Sequence, residues 1–285
     1  MKKINRTRSE KVIILVASIL FMIYAILLIF PFAWCFFNSF KSRSDFIFNT
    51  WGLPEKFVWQ NYIDCFYMTY NDVAIIGMFK NSIIFTVGCT IISLFFCSAT
   101  SYTITKYHFF GRNFFYTFTF IMMLVPAMGA TAANYKLYNE LHIYDTYIGI
   151  FIGSMGGFGG AFLFLYGFYK NLSWSYAEAA FIDGAGHFIT YFKIMLPMAM
   201  PAIIAIGIMN AIGVWNDYFT FYLYAPSKVT IAVGINGLSE LNKAGKISFP
   251  QLFAAMIISM IPVVVIYSIA QKFIVENTTI GGVKG

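Results

Sequence analysis

The chain has 285 residues, 59% of them hydrophobic and 11% charged, with a formal net charge of +7. Soluble globular domains carry about 25% charged residues, so a water-soluble core is excluded and a polytopic membrane protein is indicated. The positive balance is no nucleic-acid signature. Lys2, Lys3, Arg6, Arg8 and Lys11 cluster directly before the first apolar run, where a cytoplasmic anchor belongs.

That first run, about 12–36, is longer than the apolar region of a secretory signal and is followed by no small-residue cleavage pattern. It reads as a retained membrane helix. Five further segments reach the roughly 20 apolar residues that a spanning helix needs: about 81–104, 113–134, 147–169, 198–223 and 250–272. The fold class expected is therefore all-α, with six transmembrane helices. The N-terminal cluster places residues 1–11 in the cytoplasm, and an even span number returns residues 273–285 to the same side. The loops 105–112 and 170–197 then also face the cytoplasm.

The 37–80 loop is the largest on the outside and is aromatic, with Trp51, Phe57, Trp59, Tyr62, Phe66, Tyr67 and Tyr70. Such rings form an interfacial belt or a surface for an extracellular partner. Pro31, Pro126 and Pro262 are expected to kink their helices. The fourth span contains Gly153, Gly156, Gly157, Gly159 and Gly160. Two overlapping GxxxG pairs fit close helix packing, and the same density fits a locally unwound segment lining a pathway.

Cys35, Cys65, Cys89 and Cys97 show neither CxxC nor a neighbouring His, so no disulfide and no metal site is expected. The span interiors hold one charged residue, Asp217. Charges inside spans mark ion and proton routes, so their scarcity weighs against a stand-alone secondary carrier or channel, which is the alternative function. A membrane-embedded enzyme needs clustered His, Asp or Glu, whereas His108, His142 and His187 fall in separate loops.

Between the fourth and fifth spans the chain reads EAAFIDGAGHFITYFKIMLP, residues 178–197. Ser175 and Glu178 fit a capping box for a helix over about 175–182. Asp183-Gly184 is a turn dipeptide that ends it, and a second helix over about 187–196 stops at Pro197. Ala179 and Ala180 leave a narrow side for close approach, Glu178 suits a helix N-terminus, and Gly184 permits the reversal.

The fixed positions Glu178, Ala179, Ala180, Gly184, Ile194, Leu196 and Pro197, with their spacing, resemble the EAA signature of importer permeases in the ATP-binding-cassette superfamily. Further resemblance comes from Asn81-Ser82 at the second span, Ser101-Tyr102 to Lys106-Tyr107 with Gly111-Arg112, Trp215-Asn216-Asp217, and the ending 279–285. These point to the carbohydrate branch, in particular the shorter six-helix partner of the maltose type. Two features depart from that pattern: Ser173 stands where a proline commonly precedes the EAA helix, and the fourth-span glycines stand where relatives often have proline.

The resemblance implies that 170–197 is a coupling loop, in which Glu178, Ala179, Ala180, Asp183, Gly184, Ile194, Leu196 and Pro197 serve docking on an ATPase. It implies two ATPase partners holding ATP and Mg, a second permease subunit and an extracellular solute-binding protein. This chain itself has no GxxxxGK[ST] and needs no cofactor of its own. Asn210, Trp215, Asn216 and Asp217 are candidates for a substrate pathway. Asn210 lies roughly 18 Å along its helix, near mid-membrane, where its amide can meet a sugar hydroxyl or join two helices. Gly281, Gly282 and Lys284 are candidates for an ATPase contact by the tail. The absence of Arg and Lys from the span interiors favours a neutral sugar over a phosphate-bearing one.

Overall fold

A computed structural model describes residues 7–124 and 127–278. They are almost wholly helical. In chain order the helices are α1 (Arg8–Ser39), α2 (Arg43–Phe48), α3 (Gln60–Tyr67), α4 (Ile75–Lys106), α5 (Arg112–Leu124), α6 (Thr131–Glu140), α7 (Tyr147–Gly153), α8 (Gly160–Asn171), α9 (Ser175–Ile182), α10 (His187–Thr190), α11 (Leu196–Asn216), α12 (Phe219–Tyr224), α13 (Ile231–Lys243) and α14 (Phe249–Thr278). A 3-10 turn, Ala127–Ala130, precedes α6, and a π turn, Tyr191–Met195, joins α10 to α11. The two short strands β1 (Thr69–Tyr70) and β2 (Val73–Ala74) form an antiparallel hairpin. Asn71 and Asp72 both take positive φ, 48° and 60°, the backbone that a two-residue hairpin turn requires.

Among the described residues four helices are long and apolar enough to cross a membrane: Arg8–Ser39, Ile75–Lys106, His187–Asn216 and Phe249–Gln271. The two remaining expected spans are interrupted. Residues 113–134 do not form one helix, because α5 ends at Leu124 and the 3-10 turn intervenes before α6. Residues 147–169 are split into α7 and α8 by an irregular stretch, 154–159. Glycine loses more conformational freedom than any other residue on entering a helix, and Gly159 sits at φ 122°, outside helical space. The glycine-rich stretch therefore unwinds.

That stretch also packs closely, because a Cβ on Gly157 would lie 2.5 Å from Thr100 Oγ1 of α4. Freed backbone groups at membrane depth need partners inside the protein. Cys97 Sγ donates to the Gly156 carbonyl at 3.3 Å, and just beyond the stretch Ser101 Oγ donates to the Phe162 carbonyl inside α8 at 3.1 Å.

The fifth expected span also differs in its bounds. The helix begins at His187 and ends at Asn216, and α12 is separate. Asp217 takes extended backbone at the C-cap of α11, and its Oδ1 accepts the Thr220 N–H of the first turn of α12 at 3.0 Å. Pro31 and Pro262 lie inside α1 and α14, while Pro126 is outside the described residues.

The chain divides into two compact units. One comprises residues 7–68 with Leu238–Ile258. At its centre Phe40, 4% exposed, meets Phe57, Trp59 and Tyr62 at centroid distances of 5.4, 4.8 and 5.0 Å. Lys41 is fully buried there, its Nζ donating to the carbonyls of Asn49 and Gly52. Asn61 Nδ2 donates to the carbonyls of Ser39 and Lys41 at 2.8 and 2.9 Å. Burial of a cation demands such acceptors, and here main-chain oxygens supply them. So Trp59 and Tyr62 pack on Phe40, whereas Trp51 and Tyr67 remain 77% and 80% exposed.

The other unit comprises Thr69–Gly237 with residues 259–278. Its core forms where α4 packs against α8 and α11, around Cys97, Tyr102, Leu165, Tyr169, Ala199 and Ile203. At the opposite end Asn81 Nδ2 donates to the Val229 carbonyl at 3.0 Å, and Asn81 Oδ1 accepts from Tyr147 at 2.7 Å. Ser82 Oγ accepts the Ile231 N–H at 2.8 Å, closing the start of α13. Asn81-Ser82 does not open α4, which begins at Ile75, but lies inside it as a buried tie.

Candidate functional site

The EAA segment folds as a tight helical hairpin. Helix α9 is closed at its C-terminus by paired bonds: Ala185 N–H to Ala180 O at 2.9 Å and Gly184 N–H to Phe181 O at 3.0 Å. This six-to-one and five-to-two pattern requires a left-handed residue between its arms, and Gly184 supplies it at φ 82°. Asp183 occupies the C-cap, its N–H on Ala179 O at 3.0 Å.

The N-terminus of α9 differs from expectation. The N-cap is Trp174 in helical conformation with no side-chain cap, and Ser173 Oγ accepts the Ser175 N–H at 3.2 Å. Ser175 is thus already inside the helix and forms no capping box with Glu178. Tertiary packing of the Trp174 ring sets this turn, as described below.

The three signature residues of α9 point different ways. Ala180 is 5% exposed and Ala177 is fully buried, both turned to the chain's own core. Glu178 and Ala179 are exposed, as are Asp183 and Gly184. Ile182 is 86% exposed and Phe188, across the turn, 82%. The hairpin therefore presents a small apolar surface with two carboxylates, and anchors it from behind with alanines that let α9 approach the bundle.

Its second limb does not stop at Pro197. Helix continues from His187 to Asn216, passing through the π turn Tyr191–Met195. The physical reason lies in the proline itself, which has no N–H and clashes with the carbonyl four residues back in an α-helix. The widened turn, in which Leu196 N–H bonds Tyr191 O, makes room for the ring at the start of α11. Ile194 and Leu196 are half-buried against the core cluster, and Pro197 is exposed.

Four aromatic rings hold the hairpin. Tyr107, Trp174, Phe181 and His187 form a closed circuit, with centroid distances of 5.8 Å (Tyr107–Trp174), 5.9 Å (Trp174–Phe181), 4.9 Å (Phe181–His187) and 5.4 Å (His187–Tyr107). All four contacts are edge-to-face, the arrangement that ring quadrupoles favour. Tyr107 OH and His187 Nδ1 are 2.9 Å apart. Lys106 Nζ donates to the Leu172 carbonyl, tying the end of α4 to the loop before α9. Behind the circuit, Ser98 Oγ joins Tyr169 OH at 2.8 Å and Tyr191 OH at 3.0 Å, so the π turn is bonded to α4 and α8.

These supporting residues escape sequence reading. Tyr107 and His187 are 80 positions apart, and no periodicity relates them.

The four pathway candidates are not brought together into one site. Trp215 is 6% exposed, its ring tilted against Phe79 at 5.9 Å with Nε1 donating to the Ser259 carbonyl at 3.3 Å. Asn216 Nδ2 is held by the Ile212 carbonyl at 2.8 Å, and Asp217 starts α12. Asn210 borders a groove of about 390 Å³, opposite Gly160, Ala161 and Phe164 of α8. Its Oδ1 is buried without a hydrogen-bond partner. Gly281, Gly282 and Lys284 lie outside the described residues. Among the described residues no group of His, Cys, Asp and Glu has a metal-binding arrangement, and His108, His142 and His187 are not gathered.

Residues 95–279 match the family described as the binding-protein-dependent transport system inner membrane component. The chain belongs to that family and is a transport subunit, embedded in a membrane, of an importer driven by separate ATPase subunits. It is 25% identical over 269 residues to the diacetylchitobiose uptake system permease protein NgcG of Streptomyces coelicolor, covering 93% of this chain and 87% of the relative. It is 28% identical over 272 residues to the arabinooligosaccharides transport system permease protein AraQ of Bacillus subtilis, covering 94% and 95%. A crystal structure of a bacterial ABC transporter that imports the acidic polysaccharide alginate contains a chain aligning with a TM-score of 0.78 at 25% identity, over 95% of this chain and 99% of that one.

Proposed function

We propose that this chain is the shorter, six-span permease subunit of an importer for a neutral oligosaccharide, and that α9 with its turn is the helix that docks on an ATPase. The observation that carries the docking assignment is the two-sidedness of α9. Ala177 and Ala180 are buried in the bundle, while Glu178, Ala179, Asp183 and Ile182 face outward on a turn locked by Gly184. A pushed element needs such a rigid back and a free face.

The six spans are α1, α4, the α5–α6 segment, the α7–α8 segment, the continuous helix His187–Asn216, and α14. Both termini, residues 105–112 and residues 170–197 lie in the cytoplasm in this arrangement, consistent with the basic N-terminal cluster. Two ATPase subunits hold ATP and Mg, a second permease completes the pathway, and an external binding protein delivers the solute. Closure of the ATPase pair moves α9, and its buried alanines pass that movement to the core cluster and to α11. Ile194 and Leu196, packed on that cluster, belong to the same rigid body, with Pro197 in the first turn of α11 just after the π turn.

The carbohydrate reading draws on the relatives that carry oligosaccharides in their names and on the scarcity of charge in the spans. Asn210, across a groove from Gly160 and Ala161 at the start of α8, is the pathway residue this arrangement supports. The decisive experiment is Glu178→Lys in the assembled transporter, read by ATPase copurification and sugar uptake. Loss of uptake with normal membrane insertion supports docking through α9. Wild-type uptake overturns it.

A further inference from the structure

The four-ring circuit at Tyr107, Trp174, Phe181 and His187 contains one directional bond, and the geometry around it is uneven. Each ring comes from a different place: Tyr107 from the end of α4, Trp174 from the N-cap of α9, Phe181 from its last turn, and His187 from the start of the next helix. The circuit therefore spans both ends of α9 and both limbs of the hairpin. The edge-to-face contacts orient the rings through their quadrupoles but are individually weak. The Tyr107 OH to His187 Nδ1 bond, at 2.9 Å, fixes the His187 limb relative to α4.

Removing it leaves the imidazole somewhere to go. Tyr107 and His187 border an apolar groove of about 350 Å³, shared with Tyr102, Phe188 and Tyr191. Tyr107 OH also lies 3.5 Å from Tyr102 OH, which connects the circuit to the buried tyrosines behind it. The exposed His187 ring is otherwise flanked by the rings of Phe181 and Tyr107. We infer that Tyr107 and His187 are positioning residues for energy coupling: their hydrogen bond sets the pose of α9, so that docking movement reaches the bundle instead of being absorbed by the hairpin. This inference rests on the reading of α9 as the docking helix.

The test uses the full transporter with its ATPase and partner subunits in liposomes. Tyr107→Phe removes one oxygen, and His187→Phe keeps a ring but removes Nδ1. His187→Asn puts an amide near the position of Nδ1 and is the rescue variant. Two quantities are read: hydrogen exchange of backbone amides over residues 176–186, and solute moved per ATP hydrolysed. A lost neutral hydrogen bond changes a local opening equilibrium by about fivefold. Exchange over 176–186 should rise by about that factor in both Phe variants, with solute per ATP falling about as much, ATPase copurification staying intact, and His187→Asn restoring both. Unchanged exchange overturns the inference. Faster exchange with unchanged solute per ATP also overturns it, since the pose then has no bearing on coupling. Glu178→Lys separates the two levels. If it abolishes uptake while the ring variants transport normally, only this inference fails. If it too is silent, the docking assignment fails.

Discussion

Tyr191 donates its hydroxyl hydrogen to Ser98 Oγ at 3.0 Å across 93 positions of sequence, joining the π turn to the middle helix of the bundle. Ser98 is fully buried, and its Oγ also meets Tyr169 OH at 2.8 Å. Three hydroxyls thus satisfy one another in the buried core. A partly dismantled network of this kind leaves a desolvated polar group behind, which costs about 1–3 kcal/mol.

Ser98→Ala should accordingly destabilise the detergent-solubilised protein by about 1–3 kcal/mol, because both tyrosine hydroxyls lose their shared partner. Tyr191→Phe should cost less, since Ser98 and Tyr169 still pair. The double variant should fall short of the sum of the two, as members of one network do. Thermal unfolding monitored by tryptophan fluorescence gives all three values. Strict additivity would show that the hydroxyls act independently.

Gly184 makes a sharper demand. Its φ of 82° admits asparagine with modest strain but not a β-branched side chain. Gly184→Val should weaken ATPase copurification and uptake severely, and Gly184→Asn only slightly. Space is not the issue, because a Cβ there would meet nothing within 4 Å. Equal behaviour of the two variants would mean that the left-handed turn is dispensable.

The interrupted fourth span predicts a contrast among its glycines. A Cβ on Gly157 would press on Thr100 Oγ1 at 2.5 Å, whereas one on Gly156 would meet open space. Gly157→Ala should lower transporter yield or stability by about 1–3 kcal/mol, the range for overpacking. Gly156→Ala should be nearly silent. Reversal of that order would argue that the stretch is helical in the membrane.

Topology is checked by single-cysteine labelling in intact cells. Probes at Lys106 and Ser175 should react only after permeabilisation, and probes at Lys56, Glu140 and Lys243 directly. Labelling of position 175 from outside would remove the basis for docking on an ATPase.

Cys65 offers a pH-dependent test outside the spans. It is fully buried, its Sγ donates to the Gln251 carbonyl at 3.4 Å, and burial followed by the neighbouring Asp64 charge pushes its thiol up to about 12. A raised value means that the reactive thiolate is scarce below that pH. Maleimide should therefore leave Cys65 unmodified from pH 7 to pH 9 in the folded protein and modify it after denaturation. Rapid labelling at pH 8 in the native state would contradict the burial.

Much of this protein was legible in its sequence because membranes impose strict local rules. Apolar length and low charge marked α1, α4, α11 and α14, since a chain in lipid must satisfy its backbone within a helix. The spacing from Glu178 to Pro197 located the hairpin and its glycine turn, because a left-handed closure tolerates few residues. The hairpin of β1 and β2 was legible in principle from Asn71-Asp72, a pair suited to positive φ. Tertiary structure alone decided the rest. Glycine density alone fitted both a packed and an unwound segment, and the residues that hold the unwound form, Thr100 and Cys97, are 57 or more positions away in the chain. Pro197 could end a helix or be carried through it, and the choice fell to a π turn anchored by Tyr191 on Ser98. The Trp215 ring lies against Phe79 with its Nε1 on the Ser259 carbonyl, neighbours that no local pattern announces. In each case the deciding contact is a side-chain bond between segments remote in sequence, and local pattern holds no record of such bonds.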